Sequence, residues 1–211
     1  MAATTDRSMG DTLVLEIAKD CLFMATRVHT SRPTALDAFL RARRKFLAGE
    51  RIDMSALALE LGVNRVTLYR WVGSREKLLV EVIWSLGEKT LRDEIKRSRR
   101  TGSERIVAIV GRFIAATLSN PGFARFLADE GELAMRLLTR RDMDFQPRLI
   151  AAVQTLLEEE VAAGRMDLPA DLHDVAYTMV RIIESYIYLD LITGEEPDAR
   201  RAESILRLLL R

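Results

Sequence analysis

Cysteine, histidine and long apolar runs are scarce in this chain of 211 residues, and each scarcity excludes a class of protein. A single cysteine, Cys21, excludes an internal disulfide and offers no metal-ligand spacing. The apolar stretch TLVLEIAKDCLFMA is interrupted by Glu16, Lys19 and Asp20, so it is neither the core of a secretory signal nor a membrane span. We therefore expect a cytoplasmic protein with no metal site and no membrane partner.

Patterns that are typical of catalytic sites are also missing. The sequence contains no glycine-rich phosphate loop, no cluster with metal-ligand spacing and no nucleophile elbow. The two histidines, His29 and His173, are far apart in the sequence, so they do not form an evident pair. We predict that the protein is not an enzyme and that it uses no cofactor.

Strand-forming patterns are absent too, because no sustained run of valine, isoleucine and threonine alternates with polar residues. Apolar residues recur instead at spacings of three and four, which is typical of amphipathic helices. We therefore predict an all-α fold with glycine, proline and asparagine at the helix ends. The predicted helices span residues 12–30, 33–47, 54–61, 65–72, 75–100, 103–119, 121–140, 144–164, 170–193 and 198–210.

The charge of the chain is nearly balanced as a whole, with a formal net charge of +1, but it is unevenly distributed. Residues 32–100 contain 16 lysines and arginines against 9 acidic residues, whereas residues 101–211 contain 13 against 18. A basic segment joined to an acidic one indicates two roles, one of them at an anionic surface such as nucleic acid.

The stretch LGVNRVTLYRWVGSREKLL, residues 61–79, contains the most specific pattern. Two short predicted helices flank a glycine-containing turn, which is the arrangement of a helix-turn-helix motif. Asn64 can cap the second helix, and Leu68 and Val72 lie on its inward face. The outward positions suit DNA, because arginine can bond guanine, threonine or valine can contact the thymine methyl group, and aromatic hydrogen-bonding tips can reach phosphate. Those positions are Arg65, Val66, Thr67, Tyr69, Arg70 and Trp71.

Arg75 extends this pattern, because it stands at the start of the next predicted helix, where free backbone amides already favour an anion. Taken singly, Trp71 is equally consistent with a packing residue, and the RARRK run at 41–45 is consistent with a solvated face. The combination of arginines with exposed valine and aromatic residues instead favours contact of residues 64–75 with duplex DNA.

At these residues the sequence resembles the TetR family of bacterial transcriptional regulators. The family pattern A-x-x-x-G-V-x-x-x-T-L-Y-x-x-F-x-x-[KR]-x-x-L stands here as ALELGVNRVTLYRWVGSREKLL, with Val72 in place of the usual phenylalanine. The connection GERID before the motif is one residue shorter than is usual, and the resemblance adds Ser55 beyond it as a further DNA contact. The predicted DNA-binding set is Ser55, Asn64, Arg65, Val66, Thr67, Tyr69, Arg70, Trp71 and Arg75.

The resemblance also implies the organisation of the chain. It implies a homodimer that binds a near-palindromic operator in double-stranded DNA and is released when a ligand enters a cavity among the C-terminal helices. We therefore expect an N-terminal extension at 1–32, a three-helix DNA-binding domain at 33–80 and a helical ligand-binding and dimerisation domain at 81–211.

The chain more narrowly resembles the QsdR-type subgroup, which is associated with repression of lactone-degrading genes. The segments that carry this resemblance are NRVTLYRWVGSREKLL, EGELAMRLLT, DFQPRLIAAV and RIIESYIYLDLITGEEPDA. The resemblance implies a lactone or acyl compound as effector.

Two C-terminal segments carry apolar residues around more than one face. In HDVAYTMVRIIESYIYLDLI such residues cover too much of the circumference for a helix that packs on one side only. The final predicted helix, 198–210, has the same property. We therefore predict that two copies of the chain associate through these two helices, in a four-helix dimer interface with two-fold symmetry. The alternative is that the extra apolar faces belong to a larger monomeric core.

The effector cavity is predicted among the helices from 75 to 193, where large apolar side chains accompany a few polar ones. A mostly apolar cavity of this kind suits a small hydrophobic effector. Glu184 is the most notable candidate because it lies within an apolar helix. The predicted lining residues are Trp84, Phe113, Met135, Phe145, Tyr177 and Glu184.

These patterns together predict a ligand-responsive transcriptional repressor. Two alternatives belong to other classes: a helical adaptor that binds proteins without sequence-specific DNA binding, and an architectural protein that binds all duplexes alike. DNA binding that depends on salt and on sequence would separate the regulator from both.

Overall fold

The computed structural model describes residues 32–211, so the predicted helix at 12–30 and nearly all of the predicted extension at 1–32 lie outside the described residues. Within 32–211 the chain is helical and has no strand, which confirms the predicted fold class. The helices are α1 (Ala35–Leu47), α2 (Met54–Glu60), α3 (Arg65–Val72), α4 (Arg75–Arg97), α5 (Gly102–Leu118), α6 (Pro121–Thr139), α7 (Phe145–Ala162), α8 (Leu172–Ile187), α9 (Leu189–Thr193) and α10 (Ala199–Leu209).

Local hydrogen bonds explain where the first helix begins. The Thr34 hydroxyl accepts a hydrogen bond from the Asp37 amide at 3.3 Å, and the Asp37 carboxylate accepts one from the Thr34 amide at 2.8 Å. This reciprocal capping box satisfies two backbone donors that the helix itself leaves free. The helix therefore starts at Ala35, and Pro33 precedes the cap instead of occupying the predicted first turn.

Two helices depart from the regular course that their apolar pattern predicts. The predicted helix at 170–193 is two helices, because the backbone at Tyr188 (φ −98°, ψ 15°) ends α8 and starts α9. Helix α6 is kinked at Glu130, whose φ of −137° and ψ of 39° are not helical. The break at Tyr188 lies inside an apolar run, and the kink at Glu130 lies in the polar segment ADEGE, 128–132, which contains Gly131.

Helix α4 joins the two parts of the fold. At its start it packs with α1 and α3, and further along it packs with α5 and α6 of the larger bundle. Ala38, Ala42 and Phe46 of α1 form the centre of the N-terminal core with Leu57 and Leu68. The predicted domain boundary at residue 80 falls inside α4, so this helix belongs to both parts of the fold.

The C-terminal bundle is built around α5, whose side chains from Ile106 to Val110 are all buried. Helices α4, α8 and α10 pack around α5, and α7 pairs with α8. No single described helix is long and apolar enough to cross a membrane, and α5 and α6 meet that test only together, across a bend of 68°.

Candidate DNA-binding surface and effector cavity

The turn between α2 and α3 is set by a glycine and by side-chain caps. Gly62 has a φ of +65°, a left-handed conformation that favours glycine. The Asn64 side chain then accepts a hydrogen bond from the Thr67 amide at 2.7 Å, as the sequence predicted. The Asp53 side chain caps α2 in the same way, by accepting a hydrogen bond from the Ala56 amide. This hydrogen bond lowers the pKa of the Asp53 carboxyl. Leu68, fully buried, fixes the rotation of α3.

The face of α3 opposite Leu68 is exposed to solvent. Val66 is 69% exposed and Tyr69 is 41% exposed, which are large fractions for apolar and aromatic side chains. Asn64, Arg65 and Arg70 are exposed as well, whereas Thr67 and Trp71 are half-buried at the edges. The structure therefore brings the α3 candidates onto one element, and Ser55 is exposed on the adjoining α2.

The arginines of this face are not neutralised by the part of the chain that the structure describes. Ion pairs among the N-terminal helices engage Arg41, Lys45, Arg51 and Arg75, but neither Arg65 nor Arg70. Unpaired guanidinium groups beside an exposed valine and tyrosine can bond base edges and phosphate oxygens. We refer to Arg65, Val66, Tyr69 and Arg70 as the α3 face.

Arg75 differs from its predicted role as a phosphate contact. Its Nε donates to the Ile52 carbonyl at 2.7 Å, and its two terminal nitrogens donate to the Glu130 carboxylate at 2.8 and 2.6 Å. All its guanidinium nitrogens are thus engaged inside the protein, and Arg51 also approaches Glu130, at 3.6 Å. Arg75 therefore ties the start of α4 to the segment before α2 and to the kink of α6.

A cavity of about 60 Å³ lies within the bundle, between α4, α5, α6, α7 and α8. Three of the predicted lining residues, Phe113, Phe145 and Glu184, do line it. Gly87 contributes space, because the nearest side-chain atoms to a Cβ at this position would be those of Phe113 at 3.8 Å. The remainder of the wall is mostly apolar, which agrees with the kind of site that the sequence predicted.

The other three predicted lining residues lie elsewhere. Trp84 packs behind the wall, with its ring edge-on to Phe145 at 5.8 Å and Arg148 over its face. Met135 is half-buried against the core outside the cavity. Tyr177 is 48% exposed on α8, where it lies beneath Arg181. A periodic pattern identifies which residues face inward, but it does not locate an internal space among them.

Sequence reasoning also missed residues that do line the cavity. Phe46 is the most consequential of these, because it belongs to α1 in the N-terminal part of the fold. Its ring packs against Phe126 of α6 at 5.9 Å, and its carbonyl oxygen would lie only 1.9 Å from a Cβ at Gly122. The bundle and the N-terminal helices therefore meet directly at the cavity wall.

The polar part of the wall is organised around Glu184. The Gln146 side-chain amide donates to the Glu184 carboxylate and to the Leu138 carbonyl, the latter at 2.6 Å. Arg181 forms an ion pair with Glu184 and donates to the Gln146 oxygen at 2.6 Å. Burial raises the pKa of Glu184 to about 7, although Arg181 and Gln146 act in the opposite direction. Burial and this nearby carboxylate raise the pKa of Tyr188 as well.

Comparison with known proteins identifies the fold. Residues 101–211 match the family model described as the tetracyclin repressor-like C-terminal domain. The chain belongs to the TetR family. It is a transcription regulator with an N-terminal helix-turn-helix and a C-terminal helical domain, in a family whose members bind DNA operators, dimerise and bind small effectors.

One solved structure similar to this TetR-family regulator is that of the R. erythropolis transcriptional repressor QsdR, which also belongs to the TetR family. The TM-score is 0.76 and the sequence identity is 28%, and the match covers 83% of this chain and 93% of that one. No curated protein matches the regulator.

Proposed function

We propose that this regulator is a homodimeric repressor that binds a near-palindromic operator through α3 and releases it when a small apolar effector fills the cavity. The observation that carries the proposal is the α3 face, where two arginines with no ion-pair partner among residues 32–211 stand beside an exposed valine and tyrosine. The division expected from the sequence, with a DNA-binding part at 33–80 and an effector and dimer part at 81–211, is part of this proposal. Its place of action is the cytoplasm.

In the proposed complex, α3 lies in the major groove. Arg65 and Arg70 bond base edges or sugar-phosphate, and Val66 with Thr67 contacts thymine methyl groups. Asn64, Tyr69, Trp71 and Ser55 approach the strands on either side and set the register. The two copies of α3 in a dimer would read half-sites about one helical turn, roughly 34–36 Å, or a multiple of it apart.

The proposed dimer interface is the outer surface of α8, α9 and α10. Large apolar side chains remain exposed there, and these are Tyr177, Leu191, Ile192, Ile205 and Leu208. A second copy related by a two-fold axis would cover the same patch on both subunits. This supports the four-helix arrangement that the sequence predicted from its two multi-faced helices.

The small volume of the cavity supports coupling between effector and operator. At about 60 Å³ it is well below the roughly 300–1,000 Å³ of ordinary ligand sites, so an effector must push the walls apart. One wall is Phe46 of α1, and α6 is tied through Glu130 to Arg75 at the start of α4. An effector that binds only the widened form would therefore favour a different position of the α3 pair.

The similarity to QsdR supports a lactone or acyl compound as the effector, because the resemblance to that subgroup implies such ligands. The largely apolar wall is compatible with an acyl chain. The QsdR similarity likewise supports repression instead of activation.

The proposal is tested by selecting fragments of the source genome that the protein retains, with and without lactones and fatty acyl compounds. The expected result is a small set of near-palindromic fragments that one compound class releases. The doubly substituted Arg65→Ala, Arg70→Ala protein should retain none of them, and Arg92→Ala, a change of an exposed arginine on α4, should retain them all. Equal retention of every duplex by the unaltered protein would contradict the proposal.

A further inference from the structure

The ionisable side chains that line the cavity are all acidic groups. The lining includes one carboxylate, Glu184, and one phenol, Tyr188, and no lysine, arginine or histidine among the residues that the structure describes. The other polar lining groups are the uncharged side chains of Thr90, Thr117 and Asn120. A molecule that enters the cavity therefore meets negative charge or no charge at the wall.

The cation that contacts Glu184 is already engaged. The guanidinium of Arg181 is paired with Glu184 and donates to the Gln146 oxygen, and its side chain is 38% exposed and absent from the lining. An anionic group inside the cavity would thus approach the Glu184 carboxylate, with Arg181 outside the lining. Repulsion between two carboxylates is strong where water is scarce, because little solvent screens it.

Glu184 has spare capacity to accept hydrogen bonds. An ionised carboxylate offers about four acceptor positions, and here Gln146 and Arg181 occupy two of them. An uncharged N–H or O–H donor of an effector can use a remaining position, and hydrogen bonds to ionised groups are among the stronger ones.

We propose that Glu184 makes the cavity select effectors by charge: it accepts apolar molecules that end in an uncharged hydrogen-bond donor and excludes those that end in a carboxylate. This inference rests on the proposed function, since it assumes that the cavity is the effector site. Among the lactone and acyl compounds proposed above, it favours neutral ones that carry an N–H or O–H donor, such as acyl amides, and it excludes the free acids of the same chain length.

The test uses hexanamide and hexanoate, which have the same chain length and nearly the same shape but differ in charge. Each is titrated into the full-length protein by calorimetry at pH 8, above the pKa of about 7 to which burial raises Glu184, so that its carboxylate is mostly ionised. We expect hexanamide to bind at least tenfold more tightly than hexanoate. This comparison on the unaltered protein requires no variant to fold.

A substitution then assigns the selectivity to one residue. Glu184→Gln should reduce the difference between the two probes to less than threefold, chiefly because hexanoate binds better once Arg181 has lost its carboxylate partner. Glu158→Gln removes one carboxylate from the exposed surface of α7 and should leave the tenfold preference in place.

The outcomes separate the two proposals. Equal binding of both probes to the unaltered protein, or tighter binding of hexanoate, refutes charge selection while the cavity remains an effector site. A preference that persists in Glu184→Gln refutes the role of this residue. Failure of both probes to bind at any concentration up to their solubility overturns the effector site itself, and charge selection with it.

Discussion

Arg65 and Arg70 on α3 differ from Arg105 and Arg165 in the C-terminal bundle in whether the described chain supplies an ion-pair partner. Arg65 and Arg70 are exposed and lie outside every ion pair found among the N-terminal helices of the described chain. Arg105 and Arg165 converge on Glu160, whose side chain is fully buried, at 2.5 and 2.7 Å. Arg105 and Arg165 therefore hold the fold together, whereas the described chain supplies no ion-pair partner for the two arginines of α3.

Arg75 shows that position in the sequence does not decide between these two roles. It is only five residues beyond Arg70, and the family pattern places it with the DNA contacts. Its bidentate bond to Glu130 places it with the arginines of the bundle instead. Arg75 thus follows the α3 arginines in the sequence but pairs like the bundle arginines, and its contacts join the two parts of the fold.

Two buried carboxylates, Glu160 and Glu184, have pKa values that are shifted in opposite directions. Hydrogen bonds from Arg165, the Gly102 amide and Arg105 lower the pKa of Glu160 to about 2, despite its burial. At Glu184 burial prevails and raises the pKa to about 7. The difference arises from the donors: Glu160 is surrounded by them, whereas one side of Glu184 faces the cavity.

The largest expected effect comes from breaking the Glu160 cluster. Glu160→Gln removes the charge that two arginines and an amide share, and we expect it to lower the free energy of unfolding by about 3 kcal/mol. Urea denaturation at pH 7 measures this loss. The matched control is Glu159→Gln, an exposed neighbour with one bond to Arg105, whose loss should cost about 0.5 kcal/mol or less. Equal losses would mean that burial of Glu160 adds nothing.

The second effect is on DNA binding. Arg65→Ala should weaken operator binding by about 1–3 kcal/mol. The loss should appear as a reduced preference for one particular base pair in each half-site. Its effect on the free energy of unfolding should stay within about 0.5 kcal/mol, because the described chain gives this arginine no ion-pair partner. Binding to a panel of single-base operator variants, beside thermal denaturation, checks both expectations. A marked loss of stability would show that Arg65 belongs with the bundle arginines.

The third effect concerns Arg75. Arg75→Ala should leave the salt dependence of operator binding unchanged, because all three guanidinium nitrogens are engaged by Ile52 and Glu130. A double-mutant cycle with Glu130→Gln should give a coupling energy of about 1–2 kcal/mol in unfolding. If the salt slope instead falls by about one unit, Arg75 contacts the operator and must leave Glu130 when DNA binds.

The smallest expected effect is the pH dependence of stability that comes from Glu184, which is opposite in sign to that of most carboxylates. Because the pKa of Glu184 is raised in the folded state, its contribution to stability is present below about pH 4.5 and is lost as pH rises through 7. Glu184→Gln should therefore stabilise the protein by about 1 kcal/mol at pH 8 and leave it unchanged at pH 4. Glu160 behaves conversely, since its contribution is present above pH 4.5 and is lost as pH falls toward 2. Denaturation curves at several pH values separate the two.

Local features of this fold could be predicted from the sequence, and contacts between distant residues could not. The cap at Asn64 and the inward position of Leu68 follow from spacings of three and four residues. Gln146 and Glu184 are 38 residues apart, and no spacing rule joins them. The same is true of Arg75 and Glu130, which are 55 apart. The exposure of the α3 face was therefore within reach of the sequence, but most of the cavity wall was not.

Gly122 carries a consequence for how the gene under control would respond. A single methyl group at this position would occupy the place of the Phe46 carbonyl oxygen, 1.9 Å away, so the two backbones would have to separate. Gly122→Ala would then separate the bundle from the N-terminal helices, as we propose that an effector does. A reporter strain carrying it should be permanently switched on, and adding the natural signal should change nothing further.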